Sequence, residues 1–250
     1  MRDSYWALII TLLVIAPRII SESLFRFTSI RMIWVFRIID VFDIVLQTLS
    51  LLVIVLYIYS RHIHGQNQGI SMVYLFLATM LMGGHMMHFA ANAIDMHFRE
   101  VLNVDPETTL PTSAYTLIHF IDEYLSHIIM FTALMLIFCL GAIIELQKSP
   151  KMLDMQDKVL IIISGFILGS GFGISAVEAS IPIYILILAV ICLIAILWYA
   201  KANNRSFFDH PFCLYVTIIY IMLLLSAIAY IAVFGFQSPR ELIGSYLGRP

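Results

Sequence analysis

A helix of about 20 mostly apolar residues crosses the hydrocarbon core of a bilayer. Six stretches of this chain reach that length: residues 39–59, 69–94, 114–146, 158–177, 181–200 and 211–236. Short polar joints at 61–68, 96–113, 147–157 and 201–210 separate most of them. Only 12% of the 250 residues are charged and 61% are hydrophobic, against about 25% charged in a soluble domain. So few charges cannot clothe a surface in water. The chain is therefore expected to be an all-α integral membrane protein, multi-pass, with one polytopic membrane domain over residues 1–250. This excludes a soluble enzyme and a secreted disulfide scaffold. A net charge of −2 gives no signal for nucleic acid.

A seventh stretch, residues 4–24, is interrupted by Pro17, Arg18 and Glu22. It reads as a kinked first span, giving a bundle of seven transmembrane helices. The alternative is six spans plus one interfacial helix. No small-x-small cleavage site follows the first apolar run, so a cleavable signal peptide is not expected. Phe25–Phe36 mixes arginines with Phe, Ile and Trp, as an interfacial amphipathic helix does. Ala179–Ser180 before Pro182 predicts a tight hairpin between the stretches 158–177 and 181–200. On the seven-span layout, Lys and Arg divide seven and seven between the two sides. The positive-inside rule then leaves the orientation open. Cys139, Cys192 and Cys213 lack metal-type or pairing spacing and read as small apolar residues.

Ionisable residues inside apolar spans are costly, and they face the bundle interior or a cavity. Three spans carry them at helical spacing. Residues 37–47 place Arg37, Asp40, Asp43 and Gln47 on one face. Residues 85–95 place His85, His88, Asn92 and Asp95 on one face. Residues 119–127 place His119, Glu123 and His127 at i, i+4 and i+8, with Asp122 and Ser126 beside them. Alternating spans bring the start of the first stripe, the end of the second and the start of the third to one side, here end X. At 1.5 Å per residue, Gln47, His88 and Glu123 lie about 12–14 Å below end X, and His85 and His127 about 16–20 Å below it. The three stripes predict a shared polar pocket near end X. Any one histidine taken alone also reads as a buried, hydrogen-bonded structural residue. His62, His64 and His210 read as loop residues, and His97 as the end of a span.

Imidazole and carboxylate together suit zinc or iron. The expected metal ligands are His85, His88, His119, His127 and Glu123. Glu123, Asp95 and Asp43 are the expected catalytic carboxylates. A zinc ion with an open position lowers the pKa of bound water to about 7, and a carboxylate serves as general base. The substrate of a site at that depth is a membrane lipid or another lipid-like, apolar molecule. The simplest reading is zinc-dependent hydrolysis of a lipid amide or ester. Iron or haem in a membrane oxidoreductase is one alternative. A metal or proton transporter, or a non-catalytic lipid-binding subunit of a membrane-protein assembly, is another. Transport is the poorer fit, because residues 51–56, 74–81 and 128–140 are nearly all apolar and offer no path to the other side.

The layout resembles the seven-helix intramembrane hydrolases of the alkaline ceramidase and adiponectin-receptor type. The resemblance implies a zinc ion held by His and Asp within the bundle. The chain departs from that type in its last span, which has no histidine, and at Leu81, which stands where that type has a serine before His85. No residue role is carried over, and no histidine here is followed by Glu as in HExxH.

Overall fold

A computed structural model of the chain describes residues 4–24, 31–33, 36–98, 102, 104, 111–151 and 153–236, with the side chains of 17–43, 95 and 96 outside the description. It contains seven long helices. These are α1 (Tyr5–Leu24), α2 (Ile38–Ile58), α3 (Gln68–Met96), α4 (Thr112–Glu145), α5 (Met155–Glu178), α6 (Pro182–Ala202) and α7 (Pro211–Phe234). Wider π-helical turns continue α2 through Tyr59–Ile63 and interrupt α4 at Phe120–Ser126. Among the described residues, six of the helices are long and apolar enough to cross a membrane, and the described apolar stretch of α1 is the shorter Tyr5–Ala16.

The helix starts follow local chemistry. Asn67 accepts a hydrogen bond from Ile70 N at 2.9 Å, and Asp154 accepts one from Asp157 N at 2.7 Å. Both satisfy N–H groups that a first turn leaves unpaired. Pro182 and Pro211 open α6 and α7, where a missing N–H costs nothing. The first turn of α7 has a more distant partner: Glu145, at the end of α4, accepts from Cys213 N at 2.7 Å.

Of the stretch expected to be an interfacial helix, Arg31–Ile33 and Phe36–Arg37 instead pair as a short antiparallel ladder, Arg31 against Arg37 and Ile33 against Phe36. Ile, Trp, Val and Phe favour extended backbone as much as an amphipathic face. Residues 25–30 and 34–35 lie outside the described residues.

The helices form a ring in the order α1, α2, α3, α4, α6, α7, α5, closed by α5 against α1 and crossed by α4 against α7. The turn after α5 is tight, with Ser180 at φ 56° and Ile181 N bonded to Ala176 O at 3.2 Å. Yet α5 and α6 meet only briefly, and α5 packs along α7 instead. Small residues decide this. Gly165, Gly169 and Gly173 lie at i, i+4 and i+8 and face Ile218, Ile219 and Leu223 of α7. A Cβ on Gly165 would stand 3.0 Å from Ile218 Cβ, and one on Gly169 or Gly173 would fall on α7 backbone. Such stripes let two helices approach to backbone contact.

Buried tyrosine hydroxyls tie the ring together. Tyr74 donates to Val55 O at 2.5 Å, Tyr220 donates to Met135 O at 2.5 Å, and Tyr215 lies 2.8 Å from Thr11 Oγ1. Trp6 sits among Tyr57, Phe212 and Tyr215, with ring centroids 5.9, 5.6 and 5.3 Å away. Thus α1 begins at the same end of the bundle, end Y, as α5 and α7.

Candidate functional site

The site is built where α3 and α4 run against each other near end X. Gly84 makes the approach: a Cβ there would lie 3.0 Å from both Ser126 O and Met130 N. One turn nearer end X on α3, His88 meets Asp122 on α4. His88 Nδ1 lies 2.7 Å from Asp122 Oδ1. The imidazoles of His88 and His127 face each other with centroids 4.7 Å apart at 65°. On the other side of the His88 ring, Asn92 Nδ2 is 3.0 Å from Nε2. His85, 2% exposed, packs edge-on to Phe89 at 4.7 Å.

The π turn of α4 arranges the opposite wall. A π turn closes its hydrogen bonds over five residues, so positions five apart come into line. Asp122 and His127 are such a pair. His127 Nδ1 donates to Asp122 O at 2.9 Å and to Glu123 O at 3.1 Å, and Ser126 Oγ also donates to Asp122 O. A ring whose Nδ1–H is held by carbonyls keeps its remaining lone pair on Nε2, the form in which histidine binds metal or takes a proton.

Three polar atoms here are buried without a hydrogen-bond partner: His85 Nε2, His88 Nδ1 and Asp122 Oδ1. The last two face each other closely, but not at a hydrogen-bonding angle. Buried polar groups are nearly always satisfied, so a cluster of unsatisfied ones asks for an occupant. Imidazole nitrogen and carboxylate oxygen are donors that zinc accepts. Among the described residues, no group of three or more His, Cys, Asp or Glu side chains is arranged to hold a metal ion.

The residues singled out from the sequence divide as follows. His85, His88 and His127 come together. Glu123 is half-buried on the π turn, and its carbonyl holds His127. His119 is exposed and lies against the rings of Tyr115, 6.0 Å away and stacked, and Tyr124, 6.3 Å away. The side chains of Asp43 and Asp95 lie outside the described residues. α2 packs mainly on α1 and meets α3 only over a short stretch. Asp122 is the residue that helical spacing undervalued. A regular α-helix puts Glu123, not Asp122, in line with His127. No sequence signal marks the π turn, apart from a polar run, Asp-Glu-x-x-Ser-His, inside an apolar span.

A second polar cluster lies at end Y. His62 stacks on Phe212 at 4.5 Å, and Lys148 Nζ donates to Arg61 O at 2.5 Å. Burial, and then the Arg205 guanidinium, hold His210 below the ordinary imidazole range; burial likewise lowers Lys148. Lys148 thus satisfies a carbonyl near the end of α2, while His62 Nδ1 and His210 Nε2 are buried without a hydrogen-bond partner. Buried Leu77, Leu81, Phe131, Leu134 and Phe138 separate them from the α3–α4 site.

Comparison with protein-family models, with curated proteins and with solved structures finds no match. None of the three supports the resemblance to seven-helix intramembrane hydrolases.

Proposed function

We propose that this chain is a multi-pass membrane protein with seven spans and a metal-dependent hydrolytic site between α3 and α4, with zinc as the first candidate. The substrate class is a membrane lipid, or a similar apolar molecule, carrying an amide or ester. One observation carries the reading. His85 Nε2, His88 Nδ1 and Asp122 Oδ1 are buried without hydrogen-bond partners, beside a His127 whose Nδ1 is held by two carbonyls. These are cation-binding atoms inside an apolar span, two of them set 2.7 Å apart as a His–Asp pair. Zinc bound to them would act as a Lewis acid and provide a water that ionises near neutral pH. With Asp122 as a ligand, Glu123 on the same turn would be the carboxylate that takes the proton from that water. His127 is oriented by the π turn before any substrate arrives, and orientation fixed in advance is worth more than proximity alone.

The apolar layer toward end Y supports a one-sided site over a transport path. Large apolar side chains on the outside of the ring support membrane insertion: Phe76, Trp198 and Val233 are 64%, 69% and 71% exposed. In water such a belt would associate or aggregate.

Metal analysis of the purified protein tests the site. The wild type is expected to carry one equivalent of zinc, and His88→Ala and His127→Ala to weaken it by on the order of 100-fold or more. Stoichiometric iron, or a Soret band from haem, moves the reading to redox chemistry. No metal at all removes the hydrolase reading and leaves a lipid-binding subunit.

The seventh span is α1. It is a 20-residue helix, about 30 Å long, and its Ala7, Ile10 and Thr11 are buried against the bundle. An odd number of spans puts Tyr5 and Phe236, both exposed, on opposite faces. Cysteines introduced at those positions, one at a time, should react with an impermeant maleimide from opposite sides of sealed vesicles. Labelling from the same side would reduce the count to six.

A further inference from the structure

We infer that Asn92 is a positioning residue for His88, holding Nε2 in either tautomer so that Nδ1 can give up its proton and be offered to a cation. The inference rests on the metal site proposed above and goes one step past it. Asn92 sits one turn after His88 on the same face of α3, with its Nδ2 3.0 Å from His88 Nε2. In that orientation the amide N–H donates to the Nε2 lone pair. The imidazole is then neutral, with its proton on Nδ1, facing Asp122 Oδ1 at 2.7 Å. This state has no cation. Neutral imidazole has one donor and one acceptor nitrogen, so holding one fixes the other.

A cation between His88 Nδ1 and Asp122 needs the opposite tautomer. Nδ1 must be bare, and the proton must move to Nε2. Asn92 supports this state too: a half-turn about its terminal torsion puts Oδ1 where Nδ2 stood, and Oδ1 accepts from Nε2–H. The net change is one proton moved from Nδ1 to Nε2 and one amide rotation, with no change of charge on either residue. An amide is the side chain that serves both states, since it has donor and acceptor on one planar group. Aspartate serves only the cation-bound tautomer. Leucine, of similar size, serves neither.

That asymmetry gives an ordering that a space-filling or merely structural role would not produce. Zinc affinity of the full chain in lipid nanodiscs is expected to fall 10–100-fold in Asn92→Leu, the effect typical of losing a partner that orients a ligating histidine. In Asn92→Asp it is expected to match or exceed the wild type. Nitrogen-15 spectra of histidine-labelled protein, with the His88 signals assigned by their loss in His88→Ala, read the tautomer directly. The zinc-free wild type should hold the proton on Nδ1 of His88, and Asn92→Asp should move it to Nε2 before zinc is added. Three results overturn the inference alone: equal zinc affinity in wild type and Asn92→Leu, equal weakening in Asn92→Asp and Asn92→Leu, or an unchanged His88 tautomer in Asn92→Asp. Failure of the wild type to bind zinc overturns the metal site and this inference together.

Discussion

Asp122→Asn is expected to lower lipid hydrolysis by about 100-fold or more, because a neutral amide is a much poorer zinc ligand than a carboxylate, while leaving the fold intact. The amide is nearly isosteric. The carbonyl that receives Ser126 Oγ and His127 Nδ1 belongs to the backbone and survives the change. A carboxylate whose side chain is only 12% exposed costs desolvation energy that a neutral amide does not. Thermal unfolding in detergent should therefore stay at the wild-type temperature or rise. Loss of activity with equal or higher stability is the signature of a site maintained at the expense of stability. Full activity in the variant would remove Asp122 from the site. Unfolding of the variant would make it a structural anchor of the α3–α4 contact.

Gly169→Ala should be strongly disruptive. Its Cβ would fall on the backbone of Ile219, and neither helix can yield there without parting from the other. Overpacking a well-packed core costs about 1–3 kcal/mol, and a clash with backbone belongs at the upper end of that range. Gly171 is the internal control. It lies two residues along the same helix, and a Cβ there meets nothing within 4 Å. Alanine at 171 should stabilise α5 by up to about 1 kcal/mol through helix propensity. The measurement is the thermal midpoint of both variants in the same nanodisc. Equal midpoints would show that α5 and α7 are not held at backbone contact.

Much of the fold was legible because the bilayer length scale and the helix rise act on any sequence alike. Residues 69–94 and 211–236 announce helices, and the structure has Gln68–Met96 and Pro211–Phe234. The caps at Asn67 and Asp154 sit at the polar edges of their runs. The candidate site was legible in part for the same reason. His85, His88 and Asn92 share a face of α3 through simple 3.6-residue periodicity. On α4 five-residue hydrogen bonding brings Asp122 to His88 beside His127, a meeting that 3.6-residue spacing does not mark, and His119 lies exposed.

The sequence by itself determined which segments are helices, which faces carry polar groups and which end of the bundle those groups occupy. These are local properties, fixed by residue spacing and by the cost of placing charge among apolar side chains. Only the tertiary structure decided which faces meet. Gly165, Gly169 and Gly173 send α5 to α7 instead of its neighbour in sequence, and Gly84 brings α3 against α4 so that His88 reaches Asp122. Helix pairing depends on how closely two surfaces interdigitate across the whole bundle, and no single stretch of sequence contains both surfaces.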